Sequence, residues 1–417
     1  MLLLGFPAEV CAYAVLAHEA IIDAAWDAKI RPLLLQRFPK STPEDLRRAH
    51  AFAYGGSIIQ DLGYYPHGSR FFSDLTHYVR SGDFILALLR DSQDINEYAF
   101  ALGALSHYPS DDDGHRLAVN LVVPLLYPHL EKKYGNVITY EQNPGVHLKT
   151  EFGFDVLQVA KERYAPDSYH DFIGFEVAEP LLERAFQDTY SILLQSVFDD
   201  LDKAIGSYRY AVHSAIPKAT RVAWALKKDE IKRDVPGITR KKFLYNLSRA
   251  SYEKEWGNVY QRPTFGEKFL AFLVKLLPKI GPLRALTFRT PTPEAERMFM
   301  GSFNTTLEDY KHLLDEQRNG HLKLSNNNLD LGEVSPPGNY FMADRAYASL
   351  LDDLAKDHFK QISAELRTAI LDYYENPSAP ITTKKNVKEW ARVTRELEEL
   401  KTTAPSRPVV SDIGPED

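Results

Sequence analysis

Residues 84–115 read FILALLRDSQDINEYAFALGALSHYPSDDDGH. From Phe84 to His107 the apolar side chains recur at helical spacing, which predicts a helix. Asp111 follows His107 by four residues, and His115 follows Asp111 by four. On a helix, residues at this spacing project from one face one turn apart, close enough to bind one metal ion. The stretch therefore joins a helical pattern to a candidate metal site.

The same helical pattern recurs through most of the chain. Residues 15–37 carry it, and a second stretch begins at Pro43, where Ser41 or Thr42 would cap the helix. Later stretches with this pattern are 176–228, 341–375 and 386–402. Alternation with a period of two residues is scarce. We therefore expect an all-α architecture.

Several segments rich in Gly, Pro, Tyr, Asp or Asn interrupt the helical pattern. Gly55–Arg70 and Ser110–Gly114 are predicted loops. Asn143-Pro144-Gly145 immediately precedes a predicted helix that begins near His147. A polar segment, 319–340, is expected to mark the start of a C-terminal helical lobe.

Composition limits the chemistry available to the chain. Its 417 residues are 44% hydrophobic and 12% aromatic, enough to bury a large core. The formal net charge of -7 gives no global electrostatic reason to bind a polyanion, although nucleic acid is not excluded. Cys11 is the single cysteine, which rules out a disulfide framework and cysteine-based zinc fingers. Any protein metal ligand must therefore be His, Asp, Glu or backbone.

The N-terminus has the features of a shortened export signal. Residues 2–6 form an apolar run, and Val10-Cys11-Ala12 places small residues at the first and third positions before a cleavage point. No Lys or Arg precedes the run, so we expect the true start upstream. Cleavage after Ala14 fits the same rule, and a buried N-terminal segment of a cytoplasmic protein is the alternative. We expect export, either to the periplasm or as a secreted protein.

Histidine is concentrated at the front of the chain, where eight of the thirteen fall in the first 150 residues. His147 and Glu151 form a second pair four residues apart. One such pair on an exposed helix is more often a solvated face or a weak ion pair. Two pairs accompanied by His18, Asp61 and His77 predict a metal site. Imidazole and carboxylate are the donors that zinc prefers where thiolate is absent.

The order of these residues resembles the zinc-dependent phospholipase C family, which is related to the zinc-dependent single-strand nucleases. The shared series is an early His, an Asp in a Gly/Tyr/Pro-rich loop, a later His, His-Tyr-x-x-Asp with a following His, and His-x-x-x-Glu. In this chain the series consists of His18, Asp61, His77, His107-Tyr108-Pro109-Ser110-Asp111, His115, and His147 to Glu151. The resemblance covers residues 13 to about 160.

The resemblance implies an all-α domain that holds three zinc ions in one cleft. The ligands of the first ion would be Asp61, His77, His107 and Asp111. The ligands of the second would be His115, His147 and Glu151. The third would be held by His18, by Asp111 as a bridge, and by the terminal amine and carbonyl of the mature chain. That terminal residue is Tyr13 if cleavage follows Ala12, and cleavage after Ala14 weakens this third site.

The chain departs from the family pattern between two of the expected ligands. Only Asp112, Asp113 and Gly114 separate Asp111 from His115, where the family usually has five residues. Gly114 would allow a tighter turn. Asp112 or Asp113 is an alternative to Asp111 in one of its contacts.

The chain also continues far beyond the region of resemblance. We predict a truncated signal peptide (1–12), a zinc-dependent phospholipase C-like helical domain (13–230), a helical extension or second lobe (231–403) and a disordered tail (404–417). The stretch 269–288 carries basic residues among Leu, Phe and Val, which fits contact with a membrane surface. Pro278 and Pro282 interrupt the stretch, however, which favours a buried helix face.

The resemblance implies hydrolysis of a phosphodiester by zinc-activated water. The leading expectation is phospholipase C activity, which splits a phospholipid into diacylglycerol and a phosphorylated head group. Asp61 would double as a ligand and as the proton acceptor. Tyr64, Tyr65, Phe71 and Phe72 would line a lipid-chain or base-stacking surface, although core packing is expected for at least half of them.

Two alternatives stay open. A zinc-dependent single-strand nuclease fits the interval from Tyr13 to His18, but the acidic balance and the lack of an evident basic groove disfavour it. A metal-binding scaffold without catalysis is permitted by the altered spacing before His115.

Overall fold

The computed structural model describes residues 14–163, 175–210, 216–243 and 287–406. These ranges are helical and contain no strand, apart from an isolated antiparallel bridge between Asn328 and Glu333. Their α-helices are α1 (Val15–Ala25), α2 (Arg31–Arg37), α3 (Pro43–Ser57), α4 (Arg70–Tyr78), α5 (Ser81–Asp91), α6 (Ile95–Asp113), α7 (Asn120–Leu126), α8 (Pro128–Tyr134), α9 (Pro144–Ala160), α10 (Glu179–Tyr190), α11 (Leu201–Tyr210), α12 (Ile216–Asp234), α13 (Pro293–Asn319), α14 (Phe341–Lys356), α15 (Ala364–Tyr373) and α16 (Val387–Thr402). The predicted all-α architecture is confirmed.

Several predicted segments lie outside the described residues. These are the signal peptide, Tyr13, the tail beyond residue 406, and nearly all of 269–288. Phe288, at the end of that last stretch, is described and buried, with its ring packed edge-on against Phe152. None of the described helices combines the length and the apolar character needed to cross a bilayer.

The first helical stretch is continuous but changes its winding. A π-helical turn, Trp26–Ile30, joins α1 to α2. Of the two residues predicted to cap α3, Thr42 does so: its side chain accepts the backbone N–H of Asp45. The Asp45 side chain in turn accepts the Thr42 N–H, which completes a capping box.

The prediction of a loop over Gly55–Arg70 is largely wrong. Helix α3 runs through Gly55 and Gly56, and a 3-10 helix, Ile59–Tyr64, follows almost at once. The glycines serve packing instead of a turn: a Cβ on Gly56 would lie 2.0 Å from the Phe100 carbonyl oxygen. A Cβ on Gly103 would lie 2.1 Å from the Ala53 oxygen. Helices α3 and α6 thus touch backbone to backbone, which brings Asp61 close to His107.

This contact predicts that Gly56→Ala lowers the free energy of unfolding by about 3 kcal/mol, because overpacking forces two backbones apart. Urea denaturation followed by circular dichroism measures the loss. The matched control is Gly301→Ala, at an exposed position of α13 where a Cβ meets nothing within 4 Å. There the substitution is expected to stabilise by about 0.5–1 kcal/mol. Equal effects at both positions would contradict the packing argument.

The predicted loop over Ser110–Gly114 is also wrong, because α6 continues to Asp113 and passes into a π-helical turn, Gly114–Val119. The π turn sets the direction in which His115 projects, and such turns are frequent at functional sites. Helix α9 begins at Pro144, slightly before the start predicted near His147, and Asn143 caps it through a hydrogen bond from the Val146 N–H.

The C-terminal region packs directly on the front of the chain. Tyr310 of α13 donates its hydroxyl to the Leu102 carbonyl at 2.9 Å, and Phe299 stacks on Phe154 with ring centroids 4.3 Å apart. Between α13 and α14, residues 320–340 form no helix, as the polar segment predicted. The predicted boundary between two lobes near residue 230 stays a prediction.

Candidate metal centre

The expected metal ligands come from six separate elements that meet in the interior. His18 lies in α1, Asp61 in the 3-10 helix Ile59–Tyr64, and His77 near the end of α4. His107 and Asp111 lie in α6, His115 in the π turn, and His147 and Glu151 in α9. All eight side chains are buried. The two pairs spaced four residues apart are on helices, as predicted.

The tightest group consists of Asp61, His77, His107 and Asp111. The Nε2 atoms of the two imidazoles face each other at 3.3 Å. His77 Nε2 lies 3.3 Å from Asp61 Oδ1 and 3.2 Å from Asp111 Oδ2. His107 Nε2 lies 3.8 Å from Asp61 Oδ1 and 3.4 Å from Asp111 Oδ2. Four donor groups thus point at one small volume.

Backbone carbonyls fix the orientation of these imidazoles. His77 Nδ1–H donates to the Ser73 oxygen at 2.8 Å, and His107 Nδ1–H donates to the Ser57 oxygen at 2.9 Å. A carbonyl can only accept, so each Nδ1 carries a proton and Nε2 is the ring atom directed at the centre, where a neutral ring would offer its lone pair to a metal. This is how proteins commonly orient metal-ligating histidines.

His18 extends this group toward α1. Its Nε2 lies 3.8 Å from Asp111 Oδ1, and its ring stacks on His107 with centroids 4.8 Å apart. Asp111 therefore has His18 on one oxygen and His77 with His107 on the other, the position expected of a bridging ligand. Burial, reinforced by His107, lowers the pKa of His18 to about 4, so this imidazole is a neutral donor at pH 7.

His147 and Glu151 lie beside the cluster. The His147 ring is 5.6 Å from that of His115, and its Nδ1 is 4.0 Å from Glu151 Oε1. His147 Nε2–H donates to the Ile138 oxygen at 2.7 Å, which leaves Nδ1 as the lone-pair donor. Burial, followed by His115, lowers the pKa of His147 to about 3. Among the described residues, neither His147 nor Glu151 belongs to a group of three donors close enough together to bind one metal ion. The expected ligand set of His115, His147 and Glu151 is therefore not assembled in this structure.

His115 instead faces an aspartate that the sequence analysis did not single out. Its Nε2 lies 3.1 Å from Asp330 Oδ1, and Asp330 is 2% exposed. Asp111, His115 and Asp330 form one group of candidate metal ligands, beside the groups of His18, His107 and Asp111 and of Asp61, His77 and His107. No spacing rule could have found Asp330, because a long stretch of chain separates it from Glu151. The available signal was an aspartate that stands between two apolar residues, Leu329 and Leu331, within a polar segment.

The altered spacing before His115 does not displace Asp111. Asp112 accepts Arg116 Nε at 3.4 Å and Asn327 Nδ2 at 3.3 Å, and Asp113 accepts Arg116 Nη2 at 2.8 Å. Both carboxylates therefore bind Arg116, and neither belongs to a candidate ligand group among the described residues. Asp111 is the member of the triplet that reaches the centre.

The charge balance of the centre favours a bound cation. Asp61, Asp111, Glu151 and Asp330 are buried together, and in the described part of the chain no Lys or Arg forms an ion pair with any of them. The oxygens of Asp61, Asp111 and Glu151 also lack a hydrogen-bond donor in good geometry. Buried carboxylates in this state are costly unless charge compensates them. Imidazole and carboxylate donors fit zinc.

The pKa shifts describe the same demand for positive charge. Burial alone would lower the pKa of His77, but the carboxylates of Asp111 and Asp61 outweigh it and hold that pKa well above its usual value. The pKa of His107 is raised for the same reason. Burial, then the charges of Asp111 and Asp61, raises the pKa of Glu151 well above its usual value. Without a metal the centre attracts protons, so zinc and protons compete for it.

The four aromatic residues predicted to line a substrate surface have different surroundings. Tyr64 borders the centre, with its ring 5.9 Å from His77. Tyr65 is buried against Tyr208 with ring centroids 4.9 Å apart, and Phe71 is partly buried against the hydrophobic core. Phe72 is fully buried among other phenylalanines, which makes it a packing residue.

Comparison with known proteins agrees with this geometry. Residues 17–200 match the family model described as zinc dependent phospholipase C. The match supports a relationship of residues 17–200 to the zinc-dependent phospholipase C family. The matched region contains every described ligand predicted from the resemblance, and it ends well before Asp330. No curated protein and no solved structure gives a significant match to the chain. The phospholipase C family match and the buried His/Asp groups together support a zinc-dependent hydrolase.

Proposed function

We propose that this chain is a phospholipase C, which hydrolyses a phospholipid to diacylglycerol and a phosphorylated head group. The observation that carries the proposal is the convergence of His77 and His107 on Asp61 and Asp111, with both Nε2 atoms directed inward and no Lys or Arg paired with either carboxylate in the described part of the chain. The phospholipase C family match supports the choice of a phosphodiester as the substrate.

The ligands divide among three proposed zinc ions. Asp61, His77, His107 and Asp111 would hold one, His115 with His147 and Glu151 would contribute to a second, and His18 with Asp111 would contribute to a third. When bound, zinc acidifies water, neutralises phosphate oxygens and stabilises the leaving alkoxide.

The protein's own groups complete the chemistry. Asp61 accepts the proton of the attacking water on a carboxylate oxygen, because both of its oxygens are buried and lack a well-placed donor. The Ser73 and Ser57 carbonyls keep the imidazoles of His77 and His107 from rotating. Tyr64, whose ring lies 5.9 Å from that of His77, is the residue proposed to contact a lipid chain.

The test compares three substrates: phosphatidylcholine vesicles, single-stranded DNA, and bis(4-nitrophenyl) phosphate. We expect the zinc-loaded protein to release diacylglycerol and phosphocholine, to lose this activity in EDTA, and to regain it with zinc. Faster turnover of single-stranded DNA than of phosphatidylcholine would favour the nuclease. Turnover of none of the three by fully zinc-loaded protein would favour a scaffold.

We also propose that the protein is exported, on the strength of the apolar run and cleavage point in its first residues. Cell fractionation followed by N-terminal sequencing tests this. A mature chain that begins at Tyr13 supports the proposal, and an uncleaved cytoplasmic chain contradicts it.

A further inference from the structure

Asp330 stands at the tip of a tight turn formed by residues 328–333, between α13 and α14 and outside the region matched to the phospholipase C family. The turn is closed by the antiparallel bridge between Asn328 and Glu333. Asn328 Oδ1 accepts the Asp330 N–H at 3.0 Å, and the Leu331 N–H donates to the Asn328 carbonyl at 3.0 Å. These bonds hold the backbone of Asp330 in one conformation.

The turn is attached to the elements that carry the expected ligands. The Leu329 N–H donates to the carbonyl of His77 at 3.1 Å, and Asn120 Nδ2 donates to the carbonyl of Asp330 at 3.1 Å. Gly332 has φ +73°, and a Cβ there would lie 2.0 Å from Asp112 Oδ1. The backbone of the turn is therefore seated on α4, on the end of α6, and on α7.

Both carboxylate oxygens of Asp330 contact defined partners, which fixes the orientation of the side chain. Its Oδ2 accepts the hydroxyl of Tyr78 at 3.0 Å and also that of Tyr340. Its Oδ1 is left to face His115 Nε2 at 3.1 Å. One oxygen held by outer hydrogen bonds and one directed at a donor group is the arrangement of a ligating carboxylate.

We propose that Asp330 is a metal ligand that the C-terminal region adds to the phospholipase C-like centre, binding the cation shared with Asp111 and His115. The proposal depends on the zinc centre of the proposed function. Donor atoms of these three residues lie within 4.8 Å of one another. Ligand atoms about 2.0–2.2 Å from one zinc ion must lie this close together or closer. One imidazole cannot balance the charges of two aspartates, whereas a divalent cation does.

An ion pair between His115 and Asp330 that serves only packing is the competing explanation, and Asp330→Asn separates the two. Asparagine keeps an oxygen for His115 and polar contacts for the two tyrosines, but it lacks the anionic oxygen that zinc requires. The matched control is Asp344→Asn. Asp344 is also a buried aspartate of the C-terminal region, and it accepts the Tyr373 hydroxyl at 2.6 Å outside the candidate ligand groups of the described residues.

The readouts are zinc per chain by elemental analysis and zinc affinity by competition with a chromogenic chelator, on variants whose folding is checked by circular dichroism. We expect Asp330→Asn to lose about one zinc equivalent or to bind it at least about 100-fold more weakly. Asp344→Asn should match the wild type. Wild-type zinc content and affinity in folded Asp330→Asn would overturn the ligand assignment alone. Absence of zinc from the wild type would overturn the proposed function as well.

A measurement on the unaltered chain covers the case in which Asp330→Asn fails to fold. Anomalous diffraction from zinc-loaded wild-type crystals should place a zinc ion about 2.0–2.2 Å from an Asp330 oxygen. Zinc ions bound at the phospholipase C ligands, with all of them more than about 3 Å from Asp330, would overturn the assignment and leave the proposed function intact.

Discussion

The His107→Ala variant is expected to lose at least about 1,000-fold in kcat/KM for phosphatidylcholine. His107 Nε2 contacts the tightest group of donors, and its ring also stacks on His18, so its removal weakens two proposed ligand sets at once. A bound metal contributes several kcal/mol to transition-state stabilisation, and about 4 kcal/mol corresponds to that factor. Steady-state kinetics of diacylglycerol release, with zinc per chain on the same samples, measures both effects.

The matched control for this variant is His129→Ala. His129 is exposed, and its ring contacts only Tyr127 at 6.3 Å among the ring contacts of the described residues. We expect its kcat/KM and zinc content to stay within about twofold of the wild type, as for most surface substitutions. Full activity in His107→Ala would show that this histidine does not belong to the reacting centre.

Removal of zinc is expected to lower the melting temperature by about 10 °C. Asp61, Asp111 and Glu151 are buried without compensating Lys or Arg in the described part of the chain, so the folded state without metal must either bury their charges or take up protons. Two sites, each with free zinc at 100 times its Kd, would together stabilise the fold by about 5 kcal/mol. For a domain of this size, 1 kcal/mol of stability corresponds to about 2 °C in melting temperature, so about 5 kcal/mol corresponds to about 10 °C. Calorimetric scans with and without EDTA measure this difference.

The Asp61→Asn/Asp111→Asn double variant tests the physical cause of this shift. It keeps the volume of the side chains but removes two buried charges, so its metal-free form should melt above the metal-free wild type. Zinc should then raise its melting temperature far less. A wild type that melts at one temperature with and without zinc would contradict the charge argument.

The sequence predicted those parts of the centre that depend on local spacing. His107 with Asp111, and His147 with Glu151, project from single helices, because a four-residue interval is set by helical geometry alone. The resemblance then indicated which of the remaining residues belong with them. His18, Asp61 and His77 do lie in the same interior region.

Contacts between distant parts of the chain were beyond sequence reasoning. Gly55 and Gly56 have the composition of a loop, but their function is close approach of α3 to α6 and to residue 176, which no local pattern reveals. Asp330 is a stronger case. Its place beside His115 depends on how the turn of residues 328–333 packs on α4 and α7, and that packing is a property of the whole fold.

The most direct test of the account is the metal content of the purified full chain. Elemental analysis after dialysis into metal-free buffer is expected to find about two or more zinc ions per chain, and EDTA should remove them together with phosphodiester hydrolysis. A folded chain that holds no zinc, takes up none when it is supplied, and still hydrolyses phosphodiesters would contradict the claim that these imidazoles and carboxylates form a zinc centre.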